Sequence, residues 1–188
     1  MTYVPLPSQT VGPFFSIGLS ALCREQIEFE SGEGKRVVIR GRVLDGDGQP
    51  VPDALLEIWQ ADEATRVSVA EDADGRREKI PAGFGRIATN ERGEFRFSTI
   101  KPASRRDENK LMHAPHLAVV VLMRGLLRHL LTRVYFAGEA ANNEDAVLKL
   151  VPPERRRTLL AEPAGESASE LSWDIHLQGE RETVFFEA

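Results

Sequence analysis

Four histidines are the first side chains in this sequence that could bind a metal or transfer a proton: His113, His116, His129 and His176. A spacing of three places His113 and His116 on one face only in a helix, and Pro115 between them disfavours a helix. None of the four lies in an HExxH motif or in another closely spaced carboxylate–histidine cluster. The residues by themselves therefore predict no metal site formed by this chain alone.

The candidate nucleophiles likewise indicate no catalytic site. Cys23 is the single cysteine. It allows no internal disulfide, which is typical of a reducing compartment, and we interpret it as a small, partly buried thiol. No serine lies in a GxSxG motif. Gly46 and Gly48 belong to a turn that no helix follows, so they do not indicate a phosphate-binding loop. The sequence shows no catalytic constellation that its residue types alone identify.

The composition indicates one soluble domain. The chain has 188 residues, of which 41% are hydrophobic and 28% charged, and its net charge is −5. An acidic balance disfavours binding to nucleic acid. The longest apolar run, Leu117 to Met123, is strand-sized, and the N-terminus does not resemble a secretion signal. We expect a cytoplasmic protein that neither spans a membrane nor binds nucleic acid.

Alternating apolar residues predict strands through most of the chain. The segment from Arg36 to Asp62 is interpreted as a hairpin, because period-two patterns flank a turn of Asp and Gly residues. Residues 83–89 and 93–98 are interpreted as a second pair, and residues 117–123 and 130–136 as a third. About eight short strands separated by turns favour an all-β fold, an antiparallel β-sandwich. One short helical region is predicted between Asn143 and Ala161.

Residues 1–34 are predicted to form a long N-terminal arm, and residues 35–188 the β-sandwich. Three prolines make the arm unsuitable for a central strand. Its apolar residues, among them Phe14 and Ile17, make it unsuitable for a disordered tail. We expect an extended arm that packs on a surface, either of its own domain or of a partner chain.

Two stretches resemble a known family. GRVLDGDGQPVPDALLEIWQAD and GRIATNERGEFRFSTIKP are similar to the core of the intradiol ring-cleavage dioxygenases, which are ferric enzymes built on a β-sandwich. PSQTVGPFFSIGL and DIHLQGERETVFFEA, near the two ends, resemble the alpha subunits of the two-subunit members that act on 3,4-dihydroxybenzoate. The resemblance runs from about Pro5 to the C-terminus.

The resemblance also implies where iron ligands would stand. Catalytic members bind Fe(III) through two tyrosines and an HxH pair. In this sequence Leu117 and Val119 are interpreted as occupying the two histidine positions, and Ala114 that of a preceding arginine. The two tyrosines of the chain are Tyr3 and Tyr135. Aliphatic side chains offer no lone pair to a metal. We therefore expect Leu117 and Val119 to be degenerate ligand positions.

The same resemblance implies a role for the arm. In the two-subunit members the iron belongs to the beta subunit, and a TxGP(F/Y) segment of the alpha subunit reaches the mouth of the shared substrate pocket. Thr10, Gly12, Pro13 and Phe14 match that segment. Arg124 stands where alpha subunits carry a pocket arginine. It is interpreted either as a contact to the substrate carboxylate or as a solvated arginine at a strand end.

The function that the resemblance implies is that of a subunit without iron. Its complex with a beta subunit would cleave 3,4-dihydroxybenzoate with O₂ to 3-carboxy-cis,cis-muconate, and this chain alone would be inactive. An alternative is a non-catalytic sandwich that binds a ligand or a protein. A third, less favoured, is an enzyme that uses His113 and His116 with an unrecognised carboxylate.

Overall fold

The computed structural model describes residues 7–27, 34–60, 67–71, 77–165, 167 and 169–187. One α-helix, α1 (Pro13–Leu19), precedes the strands of the domain. The strands are β1 (Arg36–Leu44), β2 (Leu55–Trp59), β3 (Val67–Glu71), β4 (Arg77–Pro81), β5 (Phe84–Ala88), β6 (Glu94–Ile100), β7 (Arg105–Arg106), β8 (Met112–His113), β9 (His116–Leu122), β10 (Leu130–Phe136), β11 (Leu160–Pro163), β12 (Glu170–Ser172) and β13 (Ile175–His176). The all-β prediction is confirmed.

Nine of these strands form one sheet that folds into two layers. One layer contains β1 flanked by β6 on one side and by β12 and β13 on the other. The second layer runs in the order β10, β9, β2 and β5. Strand β11 joins the layers because it pairs with β12 and with β10. Strands β3 and β4 form a separate hairpin, and so do β7 and β8.

Two of the predicted hairpins are wrong and one is confirmed. Strands β1 and β2 lie in opposite layers, and so do β5 and β6, so that each connection crosses the sandwich instead of closing a hairpin. Periodicity shows which face of a strand is buried but not which neighbour it pairs with. The pairing of β9 with β10 is confirmed, with Leu130 opposite Val121 and Tyr135 opposite His116.

The inner faces of the two layers form the main hydrophobic core. Ile39 of β1 and Phe97 of β6 face Ile58 of β2 and Leu117 of β9, and all four are fully buried. A smaller cluster lies on the other face of the second layer, where Tyr135, Leu148, Val151 and Leu159 pack together. That second cluster holds the segment between β10 and β11 against the sheet.

The helical part of the chain lies elsewhere than the sequence predicts. The segment from Asn143 to Ala161 contains only short 3₁₀ turns, at Leu148–Leu150 and Arg156–Leu159. The α-helix is α1, within the arm that was expected to be extended. Pro13 at its first turn explains the difference, because a proline there loses no helical hydrogen bond and already has a helical φ. Prolines at a helix start and prolines in extended chain cannot be distinguished by composition.

The last described residues of the arm, up to Ile27, pack on the β-sandwich. They pair with β6, where Ile27 donates its N–H to the Ser98 carbonyl at 2.9 Å and Ser98 donates to the Glu25 carbonyl at 2.7 Å. Ile27 is fully buried and fills the space above Gly85. Residues 1–6 and 28–33 of the predicted arm lie outside the described residues. Across the described ranges, no helix is long and apolar enough to cross a membrane.

Candidate functional site

The arm and the connection between β9 and β10 form the first candidate site. The backbone N–H of Gly125 donates a hydrogen bond of 2.8 Å to the hydroxyl oxygen of Thr10. Val11, one residue further on, lies in a shallow groove of about 220 Å³ with Leu122 and Leu127. A groove this small is below the usual range for a complete small-molecule pocket, about 300–1,000 Å³. The groove is therefore smaller than a complete small-molecule pocket.

Arg124 stands beside this anchor, at the end of β9. Its Nε–H donates to Oδ2 of Asp53, which fixes the plane of the guanidinium group. The side chain is 57% exposed, and no hydrogen bond from its terminal amino groups is found among the described residues. An arginine held by its Nε edge still presents two N–H donors that can bind a carboxylate. The structure brings Arg124 and Thr10 together, as neighbours of Gly125.

The helix α1 places apolar side chains in water next to this site. Gly12 is its N-cap residue and Pro13 its first residue. Phe14 is 80% exposed and Ile17 is 67% exposed. A spacing of three puts these two side chains on the same face of the helix. Two large apolar residues exposed on one face are typical of a surface that contacts another chain.

The two residues predicted to occupy degenerate ligand positions lie away from the groove. Leu117 and Val119 are both fully buried in the core between the layers. The alternation of a strand puts His116 and Ala118 on the opposite face of β9, where both are partly exposed. A metal ligand that must reach a substrate has to lie on this second face, because the first is closed by aliphatic side chains. Only one of the two residues there, His116, has a donor atom.

A buried polar cluster surrounds His116. Asp145 is fully buried and accepts hydrogen bonds from the N–H groups of Ala114 (2.8 Å) and Leu148 (2.7 Å). Tyr135 donates its hydroxyl to Oδ1 of Asp145 at 3.1 Å. Burial, and then the nearby Asp145, raise the pKa of Tyr135 well above its ordinary value. Tyr135 therefore stays a neutral phenol at physiological pH, and its proton helps to satisfy the buried carboxyl group.

His116 itself is a neutral imidazole at physiological pH. Burial is the main reason that its pKa falls from 6.5 to about 4, and the charge of Arg133 lowers it further. Its Nδ1 lies 2.7 Å from the carbonyl oxygen of Ala114, a distance that assigns the proton to Nδ1. The rings of His116 and Tyr135 are 5.3 Å apart. The cluster joins β9, β10 and the following segment through hydrogen bonds to the backbone and through the bond between Tyr135 and Asp145.

These residues do not fit ferric iron of the kind that the resemblance implies. Such a centre needs two ionised tyrosines and two imidazoles, whereas Tyr135 is kept protonated by burial and by Asp145. Among the described residues, no group of three His, Cys, Asp or Glu side chains is arranged to hold a metal ion. The disagreement rests on the donor atoms present: one imidazole, one neutral phenol and two aliphatic side chains.

Two residues of the candidate site were not found from the sequence. Asp53 follows Pro52 in a turn and carries no signal of its partner, which is 71 positions away. Gly125 has a positive φ of 94°, and it lies in the turn that brings its N–H to Thr10. A glycine directly after a strand and an arginine is the one local signal that could have indicated a tight turn there.

Comparison with known proteins gives consistent results. The family model described as Dioxygenase matches residues 11–179. The protocatechuate 3,4-dioxygenase alpha chain of Burkholderia cepacia is 40% identical over 195 residues, which cover 96% of each chain. The beta chain from the same organism is 30% identical over 154 residues, which cover 78% of this chain and 66% of the beta chain.

The solved structures agree on the fold. The crystal structure of 3-chlorocatechol 1,2-dioxygenase from Rhodococcus opacus 1CP superposes with a TM-score of 0.61 at 22% identity, and covers 93% of this chain and 67% of its own. Identity at this level supports the architecture alone. The family model that matches most of the chain and the 40% identical relative show the family as well as the fold. The chain belongs to the intradiol dioxygenase family.

Proposed function

We propose that this chain is the alpha subunit of a protocatechuate 3,4-dioxygenase, which binds no iron and completes the substrate pocket of an iron-bearing beta subunit. The complex would cleave 3,4-dihydroxybenzoate with O₂ to 3-carboxy-cis,cis-muconate. The observation that carries the proposal is the alignment with the alpha chain of Burkholderia cepacia over 96% of both sequences, against 66% of the beta chain.

The donor atoms of the chain support the proposal that the beta subunit, and not this chain, holds the iron. Intradiol dioxygenases are Fe(III) enzymes. The face of β9 that reaches the surface carries His116 and Ala118, and the neighbouring Tyr135 is a neutral phenol. We propose that the positions of His116 and Ala118, and not those of Leu117 and Val119, correspond to the family's pair of histidine ligands. The iron would then come from the beta subunit, and the chain alone would be inactive.

The role proposed for this chain is to bind and orient the substrate. Arg124 would hold the carboxylate of 3,4-dihydroxybenzoate through its terminal N–H donors, while Asp53 fixes the guanidinium from its Nε edge. Thr10 would keep the arm in place through its bond to Gly125. Gly12 and Pro13 would then allow a close approach of the partner's backbone, and Phe14 would supply an apolar wall.

Co-expression with a beta-like intradiol chain tests the proposal. Oxygen uptake with 3,4-dihydroxybenzoate should appear only when both chains are present. Ferric iron added to the isolated chain should give neither turnover nor the visible absorption band of iron-bound tyrosinate. Turnover by the isolated chain, or iron ligated by its residues alone, would contradict the assignment.

The Arg124→Ala variant of the complex tests the role of the pocket arginine. A charged hydrogen bond is worth about 1.5–3 kcal/mol, so KM should rise about tenfold or more, while the iron content of the complex stays unchanged. Arg36→Ala is the matched control, because Arg36 is an exposed arginine of β1 outside the groove. An unchanged KM for Arg124→Ala would remove Arg124 from the substrate pocket without affecting the assignment of the subunit.

A further inference from the structure

A depression lies on the outer face of the second layer, above Ala118 of β9. Ala118 is opposite Arg133 of β10 on one side and opposite Trp59 of β2 on the other. His116 and Val120 are its neighbours along the strand on the same face. Ala118 is partly exposed and is smaller than the four side chains around it, so it forms the floor of a gap between them.

Arg133 brings a positive charge without a counter-charge to this depression. The residue is half-buried, and its Nη1 is buried without a hydrogen-bond partner. It forms no ion pair with a described residue, and its polar neighbour there is the hydroxyl of the neutral Tyr135. A guanidinium group that leaves water without meeting an acceptor is costly. The unfilled position at Nη1 therefore indicates a site for an acceptor from outside the chain.

The carboxyl groups of the same layer are already engaged. Asp145, which lies behind Tyr135, accepts hydrogen bonds from the Tyr135 hydroxyl and from three backbone N–H groups. Glu57, on the outer face of β2, forms an ion pair of 2.9 Å with Arg86 of β5. Among the described residues of this face, Arg133 is left without a carboxylate of its own.

Trp59 forms an aromatic wall on the other side of the depression. Its ring is 4.4 Å from that of Phe84, which is opposite it on β5, and yet Trp59 is 43% exposed. Ala118 ends at its Cβ and does not cover the other side of the indole. One strand separates Trp59 from Arg133, so their Cα atoms are about 10 Å apart. A single aromatic ring with one anionic group can contact both side chains across this span.

We propose that this depression binds a small aromatic carboxylate without a metal ion. The carboxylate would pair with Arg133 and satisfy its buried Nη1, while the ring would lie over Ala118 against Trp59. The site is separate from the groove at the arm, because Ala118 and Leu122, which lines that groove, are about 13 Å apart along β9. The inference therefore does not depend on the proposed function.

Isothermal titration of the full-length chain with benzoate, at constant ionic strength, tests this inference. We expect saturable binding that weakens about tenfold or more in Arg133→Gln, because a charged hydrogen bond is lost. Ala118→Leu should weaken binding to a similar extent, because it fills the depression from the outer face and leaves the core unchanged. Arg36→Gln is the matched control, since Arg36 is an exposed arginine of β1 in the other layer, and its affinity should stay within about twofold.

Two further ligands define the chemical class. Acetate keeps the charge of benzoate without the ring, and benzamide keeps the ring without the charge. Both should bind much more weakly than benzoate, because each loses one of the two contacts. Acetate or benzamide binding as tight as benzoate binding would overturn the proposal. The absence of saturable benzoate binding would overturn it as well, and so would unchanged benzoate affinity in Ala118→Leu.

The Arg124→Gln variant separates this site from the pocket of the proposed function. Its affinity for benzoate should stay within about twofold of the unchanged chain, because Arg124 lies beyond the far end of β9. A loss of affinity in Arg124→Gln and not in Arg133→Gln would place the carboxylate at the groove. That result would overturn this inference and leave the proposed function intact.

Unfolding in urea separates a binding role of Arg133 from a structural one. Without benzoate, Arg133→Gln should unfold at the same or a higher urea concentration than the unchanged chain, because it removes a half-buried charge that has no partner. With benzoate, the unchanged chain should gain stability and the variant should gain less. A lower midpoint of Arg133→Gln without benzoate would show that the fold itself satisfies this arginine, which would overturn the proposal.

Discussion

Acid should destabilise this chain through His116. The pKa of His116 falls from 6.5 to about 4 on folding, mainly because of burial, and the charges of Arg133 and His113 lower it while that of Asp145 raises it. At pH 7 the imidazole is neutral in the folded and the unfolded chain, so the shift has no effect there. Below pH 6.5 the unfolded chain takes up a proton that the folded chain resists, and unfolding becomes easier.

The size of the effect follows from the two pKa values. The loss of unfolding free energy should reach about 2 kcal/mol at pH 5 and about 3 kcal/mol below pH 4, where both states are protonated. Urea denaturation of the full-length chain between pH 7 and pH 4.5 measures it. Other groups titrate in this range, so the informative quantity is the difference between the unchanged chain and His116→Gln.

Two variants make the comparison specific. In His116→Gln the amide N–H₂ can still donate to the Ala114 carbonyl, but the ionisable ring is gone, so stability should decline less between pH 7 and pH 5. His129→Gln is the matched control, because it makes the same substitution at an exposed position in the β9–β10 connection. Parallel curves for the unchanged chain and His116→Gln would refute the reasoning.

Two further predictions concern the core and the interface. Leu117→Ala should lower the unfolding free energy by about 2–5 kcal/mol in urea denaturation, because Leu117 is fully buried. Leu150→Ala is the control, because Leu150 is 82% exposed and its truncation should change the unfolding free energy by less than about 0.5 kcal/mol. Equal effects of the two substitutions would show that Leu117 is not in a packed core. Phe14→Asp should weaken co-purification with the beta-like chain without lowering the stability of this chain. Leu150→Asp should leave co-purification unchanged. Intact co-purification of Phe14→Asp would show that the partner binds elsewhere.

The sequence was sufficient for the class of fold and for one strand pairing. The third predicted pair, β9 with β10, is correct because its connection is short and both strands are strongly apolar. The first predicted hairpin failed for a physical reason. Ten residues, including Pro50 and Pro52, separate β1 from β2, which is long enough to cross from one layer to the other. Both strands bury one face, so the pattern is the same whichever layer they join.

The sites depend on contacts that only the folded chain makes. Arg124 was identified from the resemblance, but Asp53, which orients it, lies 71 positions away in sequence. The hydrogen bond between Gly125 and Thr10 likewise joins residues that are 115 positions apart. Patterns within one segment cannot show such contacts, because the two partners are far apart along the chain.

Strand β9 would allow a chain of this family to lose iron ligands and keep its fold. Strand β9 divides its residues between two surfaces: Leu117, Val119 and Val121 point into the core, and His116 and Ala118 point away from it. The main core is therefore made by residues that a metal on the outer face would not touch. If the family's ligand stands at the position of Ala118, as proposed above, its replacement by alanine would open no cavity between the layers. Residues on the outer face of β9 can therefore change without disturbing the core. Ligands on the inner face could not be replaced in this way, because that face forms the core.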